Sequence, residues 1–495
     1  MPKPQLVISK SKYILGRQCP KLIWYSYNRK DLIPPPDAGQ LMMFAAGNRV
    51  GELAQTIYSD GIKIEREMNP HRQHAKSLAA LKLGKPLFEA GFVHDGAYAL
   101  ADILLPVKGG KWDLIEVKMS ASVKEEHIHD AAFQKYTYKG AGVNIRKCFL
   151  MHINTDYIKD GDIEPEKIFT KDEITGAVDG VLSQVEPCFK YLQKVIRQKD
   201  EPVITIGPHC KKPYECPLTD LCQEYLPDGH VLQLYRGGKK SFEFLESGIL
   251  KLADIPADSE LSDSQLTQLA AHRSGEAEVD TDAIGDFLSE LIYPLYFLDF
   301  ETIAPAIPIY DGTRPFENIP FQYSLHIIKK DGDKPLHYAY LAPGDIDPRP
   351  EILKQLKVYL GEEGSIIAYN ASFEKNVIKA AAAVYPEYEA WSEDLSDRIV
   401  DLLSPFRKFH YYHPEQKGSA SMKAVLPAMI GTGYEGLNIA EGSTASYEYM
   451  RVTFDKNVPA AERDQVRADL EKYCAKDTLG MVQILDKLRE VAVAG

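Results

Sequence analysis

Acidic residues stand where a buried strand or helix would ordinarily carry apolar side chains. Asp299 and Glu301 lie two apart in the aromatic strand Tyr296-Phe-Leu-Asp-Phe-Glu-Thr, so strand alternation places both on one face. Asp477 interrupts the apolar stripe of the last helical segment, and Tyr473 lies one turn before it on the same face. Because buried carboxylates are costly unless paired or bound to a cation, this spacing predicts a divalent-cation site.

A second set of polar residues lies in the N-terminal part of the chain. Asp102 sits in the middle of an apolar strand, and the next strand carries Glu116 and Lys118 on one face. A helix follows, with Gln134 and Tyr138 four residues apart and therefore on one side. The alternative for Glu116 and Lys118 is an exposed ion pair on a strand with one solvated face.

Three cysteines recur at even spacing in a loop without apolar periodicity. Cys210, Cys216 and Cys222 have five residues between neighbours, and Cys19 is the best source of a fourth thiolate. A metal ion or an iron–sulfur cluster is the candidate that would hold such a loop in shape. The remaining cysteines lie in strand or helix patterns and are predicted to be ordinary buried residues: Cys148, Cys188 and Cys474.

The elements that must position these residues follow from apolar periodicity and turn signals. In the N-terminal part the pattern predicts helices over 38–58, 74–84 and 130–139, the last ended by Gly140 as its C′ residue, and strands over 97–106, 112–119 and 147–153. Further along it predicts helices over 240–248, 263–273, 281–291, 349–361, 372–384 and 459–493, and strands over 296–302, 321–328, 337–341, 365–370 and 399–403. The expected fold class is α/β, with domains at 1–225 and 291–495 and a helical connector at 226–290.

The order strand, strand, helix, strand with D…E-x-K and Q-x-x-x-Y resembles the PD-(D/E)XK nucleases of the RecB type, as in CRISPR-associated RecB-like exonucleases and AddB. The resemblance implies a restriction-endonuclease-like domain in which Asp102 and Glu116 bind Mg²⁺ or Mn²⁺. It assigns Lys118 to orienting the attacking water or stabilising phosphate charge. Gln134 and Tyr138 would line the site.

Members of that group with an iron–sulfur cluster bring one N-terminal cysteine together with three C-terminal ones. By this resemblance a 4Fe–4S cluster would be held by Cys19, Cys210, Cys216 and Cys222. A four-cysteine Zn²⁺ site is the alternative, because spacing alone does not choose the metal.

In the C-terminal part, D-x-E on a first strand, N-x-x-F-E after a later strand and Y-x-x-x-D on the last helix resemble DEDD exonucleases with an RNase H-like fold. The resemblance implies two divalent cations on Asp299, Glu301, Glu374 and Asp477, with Tyr473 positioning the attacking water. The third carboxylate of the family is usually aspartate, and here it is Glu374. Asp401 is expected to be structural. The combination resembles a bacterial family that fuses the two nuclease types.

Composition and charge limit the classes of function. The 495 residues are 44% hydrophobic and carry a net charge of −13, which argues against coating nucleic acid by bulk electrostatics but allows a local basic groove. The chain shows no membrane-length apolar run, and Met-Pro-Lys-Pro-Gln lacks a signal peptide's apolar region. Seven cysteines do not suggest a disulfide scaffold, so a cytoplasmic location without membrane association is expected.

These patterns together predict a Mg²⁺- or Mn²⁺-dependent nuclease that hydrolyses DNA at ends or in single strands, in repair, recombination or defence. One alternative is a nucleic-acid-binding protein with one inactive centre. Another is an RNA-directed 3′ exonuclease in the C-terminal part. DNA is the preferred partner and RNA a second, and no motif identifies a protein partner.

Overall fold

The computed structural model describes residues 6–494 and has a mixed α/β architecture, which confirms the expected fold class. The chain forms two compact units. The first contains the residues up to Tyr225 together with 305–316, and the second contains 226–304 and the residues from Glu317 onward. Residues 226–290 therefore belong to the second unit. The N-terminal pentapeptide, expected to carry no signal-peptide apolar region, lies outside the described residues.

The described strands of the first unit form one sheet. They are Ile8–Ser9 (β1), Ile62–Lys63 (β2), Leu87–His94 (β3), Ala97–Val107 (β4), Lys111–Lys118 (β5), Ile145–Ile153 (β6) and Phe169–Glu173 (β7). The order is β2-β3-β4-β5-β6-β7, and β1 pairs in parallel with β4. Strands β3, β4 and β5 are antiparallel neighbours, whereas β6 is parallel to β5 because a helix crosses between them.

The helices of the first unit cover this sheet. They are Lys10–Gln18 (α1), Pro20–Asn28 (α2), Ala38–Gln55 (α3), Pro70–Leu81 (α4), Glu125–Gly140 (α5), Pro165–Ile168 (α6), Thr175–Val195 (α7) and Thr219–Gln223 (α8). Helices α1, α2, α5 and α7 pack into one apolar core, in which the rings of Tyr13 and Phe133 stack. This packing brings α1, at the start of the chain, against the strands that carry Asp102 and Glu116.

Helix α5 differs from its predicted bounds at both ends. It begins at Glu125, five residues before the predicted start, and Glu125 and Glu126 in its first turn complement the helix dipole. Gly140 belongs to the helix, and Gly142 adopts the positive φ of 85° beyond it. Gly140 is small for another reason, since a Cβ there would lie 2.1 Å from the His94 ring.

The second unit has a five-stranded mixed sheet and a separate two-stranded one. Its strands are Glu278–Val279 (β8), Leu295–Ile303 (β9), Ile319–Ile328 (β10), Leu336–Leu341 (β11), Ser365–Ala368 (β12), Ile399–Asp401 (β13) and Tyr411–Tyr412 (β14). The larger sheet runs β11-β10-β9-β12-β13. Strands β9, β10 and β11 are antiparallel, and β12 and β13 run parallel to β9. Strand β14 pairs with β8.

The described helices of the second unit include those that flank both faces of the larger sheet. In chain order, the described helices are Gly238–Glu246 (α9), Asp263–Ser274 (α10), Thr281–Ser289 (α11), Arg349–Tyr359 (α12), Ser372–Val384 (α13), Glu389–Asp397 (α14), Ser404–Arg407 (α15), Met422–Ile430 (α16), Gly442–Phe454 (α17) and Ala460–Ala494 (α18). Helices α12 and α13 lie on one side of the larger sheet, and α17 and α18 lie on the other. Leu298, Tyr323 and Leu325 point to the face covered by α12. The opposite face of β9 and β10 lies under α18.

Polar contacts hold α18 on that face. The Thr478 hydroxyl forms hydrogen bonds with Ser324 (2.7 Å) and His326 (2.8 Å), and Gln322 donates to the Leu470 carbonyl (2.9 Å). Buried polar groups need partners with good geometry, so these contacts resist sliding of α18 along the sheet. The position of α18 decides where Asp477 lies.

Within residues 6–494, no helix combines the length and the apolar character that a membrane crossing needs.

Candidate metal centres

Three carboxylates of the second unit converge between β9 and α18. Asp299 and Glu301 project from β9 toward α18, and Asp477 meets them from the helix. One carboxylate oxygen of each residue lies within 4.8 Å of the others, a spacing that suits shared cation ligands. The structure thus brings together residues separated by about 180 positions, as strand alternation and the interrupted helical stripe predict.

Glu374 adds a fourth carboxylate. It lies in the first turn of α13, is 2% exposed, and its Oε2 has no hydrogen-bond partner among the described residues. Its charge raises the pKa of both Asp299 and Glu301, so it faces the same centre. A buried carboxylate oxygen without a donor is unfavourable, which makes Glu374 a free ligand for a cation.

Burial and mutual repulsion govern the electrostatics of this centre. Burial, reinforced by neighbouring carboxylates, raises the pKa of Glu301 to about 8 and that of Asp299 well above its ordinary range. Burial likewise raises the pKa of Glu374 to about 8 and that of Asp477 to about 6. Lys423 partly offsets the charge of Glu301 and Asp477. The residues therefore fit divalent cations, which would supply the missing positive charge.

Two tyrosines flank Asp477. Tyr434 donates a hydrogen bond to its Oδ1, and Tyr473 also favours its ionised form by hydrogen bonding. The Lys423 ammonium lies 5.8 Å from the ring centroid of Tyr434 and 5.9 Å from that of Tyr473. Tyr473 was predicted from its position one turn before Asp477. Tyr434 was not, because it stands in a loop between α16 and α17 with no periodic signal.

Cys474 is buried as expected, but it lies beside this centre and contacts a carboxylate, which the sequence pattern did not indicate. It is fully buried, and its Sγ is 3.6 Å from Asp299 Oδ2. Asp401, by contrast, accepts backbone N–H bonds from Asn370, Ala371 and Leu403 and orders the turn after β12. The expectation that Asp401 is structural agrees with these contacts.

The first unit has a centre of different character around Glu116. Glu116 is 1% exposed, and its Oε1 contacts the ammonium groups of Lys10 (2.5 Å) and Lys118 (2.8 Å). Burial alone would raise its pKa, but the two lysines outweigh burial and hold the pKa well below its usual range. The alternative of an exposed surface ion pair is therefore wrong.

Asp102 lies beside this ion pair on the neighbouring strand. Its Oδ2 accepts the backbone N–H of Val117 at 2.7 Å. Burial, with repulsion from Glu116, raises the pKa of Asp102 to about 7. Asp102 and Glu116 thus form two electrostatically coupled carboxylates next to Lys118, a set that could hold a divalent cation.

The two predicted residues of α5 take different roles. Gln134 Nε2 donates to Glu116 Oε2 at 2.5 Å, so it is part of the centre. Tyr138 is fully buried and donates instead to the backbone carbonyls of Ala90 (2.9 Å) and Ala99 (3.4 Å). Its hydroxyl secures α5 to the sheet.

Two further residues of this centre were missed. Lys10, the first residue of α1, contacts Glu116, and Asp130 of α5 accepts from Lys118 at 2.6 Å. Both contacts join residues far apart in sequence or on separate elements. Lys10 carried no sequence signal because a lysine at a helix start usually faces water.

The four expected cysteines line one small cavity of about 20 Å³ that opens in part to solvent. Cys19 occupies the N-cap of α2; burial raises the pKa of its thiol, and the backbone N–H groups of Leu22 and Lys21 offset part of that rise. Burial raises the pKa of Cys216 to about 11, so thiolates there need a nearby positive charge. Gln18 ties the loop to α1 by donating to the His209 (3.0 Å) and Tyr214 (2.6 Å) carbonyls. The donor set fits a thiophilic metal group.

The fold and sites define an α/β protein of two units whose second unit carries a buried carboxylate centre with the ligands of a metal site. The sequence model of a family described as "Domain of unknown function (DUF2779)" matches residues 296–421. That match includes Asp299, Glu301 and Glu374 and ends before Asp477.

Curated relatives cover part of the chain. Residues of this protein are 27% identical over 207 positions to "Uncharacterized protein MG366" of Mycoplasma genitalium, covering 38% of this chain and 31% of that protein. The similarity to "Uncharacterized protein UU173" of Ureaplasma parvum is 28% over 221 positions, 40% of this chain and 32% of that one. The "Uncharacterized protein MG366 homolog" of Mycoplasma pneumoniae is 26% identical over 207 positions, 38% and 31% of the two chains. The chain spans about a third of the length of these relatives.

Proposed function

We propose that this protein is a Mg²⁺- or Mn²⁺-dependent nuclease that hydrolyses DNA phosphodiester bonds, with a centre in each unit. The observation that carries the proposal is the convergence of Asp299, Glu301 and Asp477 within 4.8 Å, joined by the unpartnered Glu374. Three buried carboxylates and the half-buried Asp299, with little compensating charge, suit divalent cations.

The chain's own residues account for positioning in the second centre. Divalent ions bound there would supply charge neutralisation for a phosphodiester and a water nucleophile at neutral pH. Tyr434 and Tyr473 hold Asp477 ionised and in place, and Lys423 can contact a phosphate oxygen beside them. The mixed sheet, three antiparallel strands followed by two parallel ones, supports the expected RNase H-like domain.

In the first unit, the strand, strand, helix, strand order and the contacts of Glu116 support a PD-(D/E)XK centre. Lys118 and Gln134 both contact Glu116, as a water-orienting lysine and a site-lining glutamine would. Asp102, with a pKa near neutrality, can carry a cation in its ionised form.

For the four-cysteine cavity we propose a 4Fe–4S cluster, with Zn²⁺ as the alternative. Both groups are held by four thiolates, which is the donor set that this cavity presents. The seven free thiols favour a cytoplasmic setting, where thiols stay reduced.

Separate inactivation of the two centres tests the function. Asp102→Asn and Asp299→Asn keep the side-chain shape but remove one ligand charge from each centre. Each variant and the double variant are assayed on single-stranded DNA, duplex DNA and RNA with Mg²⁺ or Mn²⁺. Asp162→Asn and Asp331→Asn, both exposed, are the matched controls.

We expect each single variant to lose part of the DNA hydrolysis and the double variant to lose all of it, while the controls keep wild-type rates. Unchanged hydrolysis in the double variant would refute the proposal. If the Asp102→Asn protein cleaves RNA faster than it cleaves DNA, the second centre would be identified as an RNA-directed exonuclease.

A second candidate is a nucleic-acid-binding protein in which one centre is inactive. The two ammonium groups on Glu116 favour this for the first unit, because they already neutralise a carboxylate that a metal would need. Wild-type hydrolysis in Asp102→Asn together with complete loss in Asp299→Asn would support it.

A further inference from the structure

We propose that Cys474 and Asp299 form a mixed thiolate–carboxylate site that binds a thiophilic divalent cation of the zinc class within the second centre. The inference rests on the proposed function in that it uses the same carboxylates, and it concerns which ion they bind. Bound there, such an ion would compete with Mg²⁺ and inhibit hydrolysis.

The separation of the two ligand atoms carries the argument. Zinc binds cysteine sulfur at about 2.3 Å and carboxylate oxygen at about 2.0–2.2 Å, with tetrahedral geometry. Two such ligands of one ion lie about 3.6 Å apart. The distance from Cys474 Sγ to Asp299 Oδ2 is 3.6 Å. Mg²⁺ prefers six oxygen ligands and gains nothing from a thiol.

The surroundings of the thiol are those of a ligand. Cys474 lies one turn before Asp477 on α18, and its sulfur lies between the helix and β9, 4.0 Å from the Asp299 carbonyl oxygen. Burial, reinforced by the carboxylates of Asp299, Glu301 and Asp477, raises the pKa of the Cys474 thiol, so the sulfur keeps its proton until a cation replaces it. A cysteine that only filled space would be expected among apolar side chains instead.

Glu374 provides an independent sign of a cation at this place. It is 2% exposed with an unpartnered Oε2, and it faces Asp299 and Glu301. Asp477 lies in the same cluster of carboxylates as Asp299 and Glu301. Binding would exchange the thiol proton for the metal, releasing one H⁺ as the sulfur–metal bond forms. Sulfur-containing sites favour zinc-class ions over Mg²⁺, so low concentrations of such an ion can occupy the centre.

Cobalt(II) is the probe, because its bond to a thiolate gives strong near-ultraviolet absorption that does not depend on activity. Full-length protein is titrated with Co²⁺, and the spectra of Cys474→Ser and Asp299→Asn are subtracted from the wild-type spectrum. The four-cysteine cavity contributes equally to all of them and cancels. Cys188→Ser, which removes another cysteine of the chain, is the matched control.

We expect both variants to lose the same thiolate–cobalt component, equivalent to one thiolate, and the control to keep it. Zn²⁺ should inhibit Mg²⁺-supported hydrolysis at least about 10-fold more weakly in Cys474→Ser than in wild type. Superimposable cobalt spectra of wild type and Cys474→Ser would overturn the proposal. If Cys474→Ser does not fold, the Asp299→Asn spectrum decides alone, and its identity with wild type would equally overturn it.

The two proposals can fail separately. A Cys474-dependent cobalt band in a protein without nuclease activity would support this site and refute the function. Nuclease activity without that band would support the function and refute this site.

Discussion

At the scale of single residues, Tyr434 shows how a loop side chain can control a buried carboxylate. Its hydroxyl donates to Asp477 Oδ1 and thereby opposes the rise in the Asp477 pKa that burial causes. A hydrogen bond to a charged acceptor contributes about 1.5–3 kcal/mol. Tyr434 is therefore predicted to keep Asp477 ionised near neutral pH.

Replacing Tyr434 with Phe should lower DNA hydrolysis by the second centre about 10- to 100-fold and move the acidic limb of the pH–rate profile upward. The limb moves up because loss of the donor raises the Asp477 pKa further. Rates are measured from pH 5 to 9 in an Asp102→Asn background. Tyr323→Phe is the control, since its hydroxyl bonds Gln355 on the opposite face of the sheet. Equal losses in both variants, with no shift of the limb, would contradict the prediction.

In the first unit, Lys10 is the residue that contacts and stabilises a buried carboxylate, that of Glu116. The Lys10→Met variant should lower the free energy of unfolding by about 1–3 kcal/mol at pH 7, because Glu116 keeps Lys118 and Gln134 but loses one charged partner. Glu116 has a depressed pKa, so this contribution exists above the ordinary glutamate pKa and fades as the pH falls below it. Urea denaturation of both proteins at pH 7 without divalent ions measures the difference in their free energies of unfolding.

Added Mg²⁺ should restore more stability to Lys10→Met than to wild type, because a cation can take the place of the missing ammonium. Lys12→Met, on the same helix and packed over Tyr27, is the matched control. A variant as stable as wild type would show that the Lys10–Glu116 contact contributes nothing.

At the scale of elements, the cysteine loop joins the start of the first unit to its end. The junction of α1 and α2 supplies Cys19 and Gln18, and the loop after α7 supplies the other three cysteines. The bridged segment spans nearly two hundred residues, so a metal group there would restrict the unfolded chain strongly. The loop is also anchored by Leu218, which is buried in the apolar core of the first unit.

Cys216→Ser should remove most of the iron from anaerobically purified protein, bleach its colour and make the first unit the preferred target of limited proteolysis. Iron content, visible absorption and the masses of the fragments are the measurements. Cys188→Ser should behave as wild type. Colourless wild-type protein with stoichiometric zinc would show that the cavity binds Zn²⁺ and not a cluster. Metal-free, stable protein would exclude both groups.

At the scale of the whole molecule, the buried carboxylates set the pH dependence of stability. The folded protein holds the pKa of Glu301 and of Glu374 at about 8 and that of Asp477 at about 6. Between the ordinary glutamate pKa and pH 8 the folded state therefore binds more protons than the unfolded state. The free energy of unfolding must then fall as the pH rises through this window.

We expect chelated protein to lose stability from pH 5 to 8, on the order of 1 kcal/mol for each unit by which a pKa is raised. Mn²⁺ or Mg²⁺ should cancel most of the loss at pH 8, since cations replace the missing protons. Thermal unfolding across this range measures both effects. Glu301→Gln should flatten the dependence, and the exposed Glu186→Gln should not. Stability that rises with pH in the chelated protein would contradict the assignment.

Much of the fold and site could be predicted from sequence because the signals are local. Alternation placed Asp299 and Glu301 on one face, helical spacing placed Tyr473 beside Asp477, and the helix over 372–384 has its predicted bounds. Each of these inferences uses a period of a few residues along one element. The end of helix α5 was predicted wrongly because Gly140 is required by the close approach of the His94 ring on β3. No local sequence pattern contains that contact.

The sequence by itself determined which residues can do chemistry and on which faces of their own elements they stand, since backbone geometry enforces both. Only the tertiary structure decided which of them meet. It set Lys10 against Glu116, Tyr434 against Asp477 and the Cys474 sulfur 3.6 Å from Asp299, and it turned Tyr138 toward backbone carbonyls. These contacts depend on how helices dock on sheets, which packing over many distant residues decides.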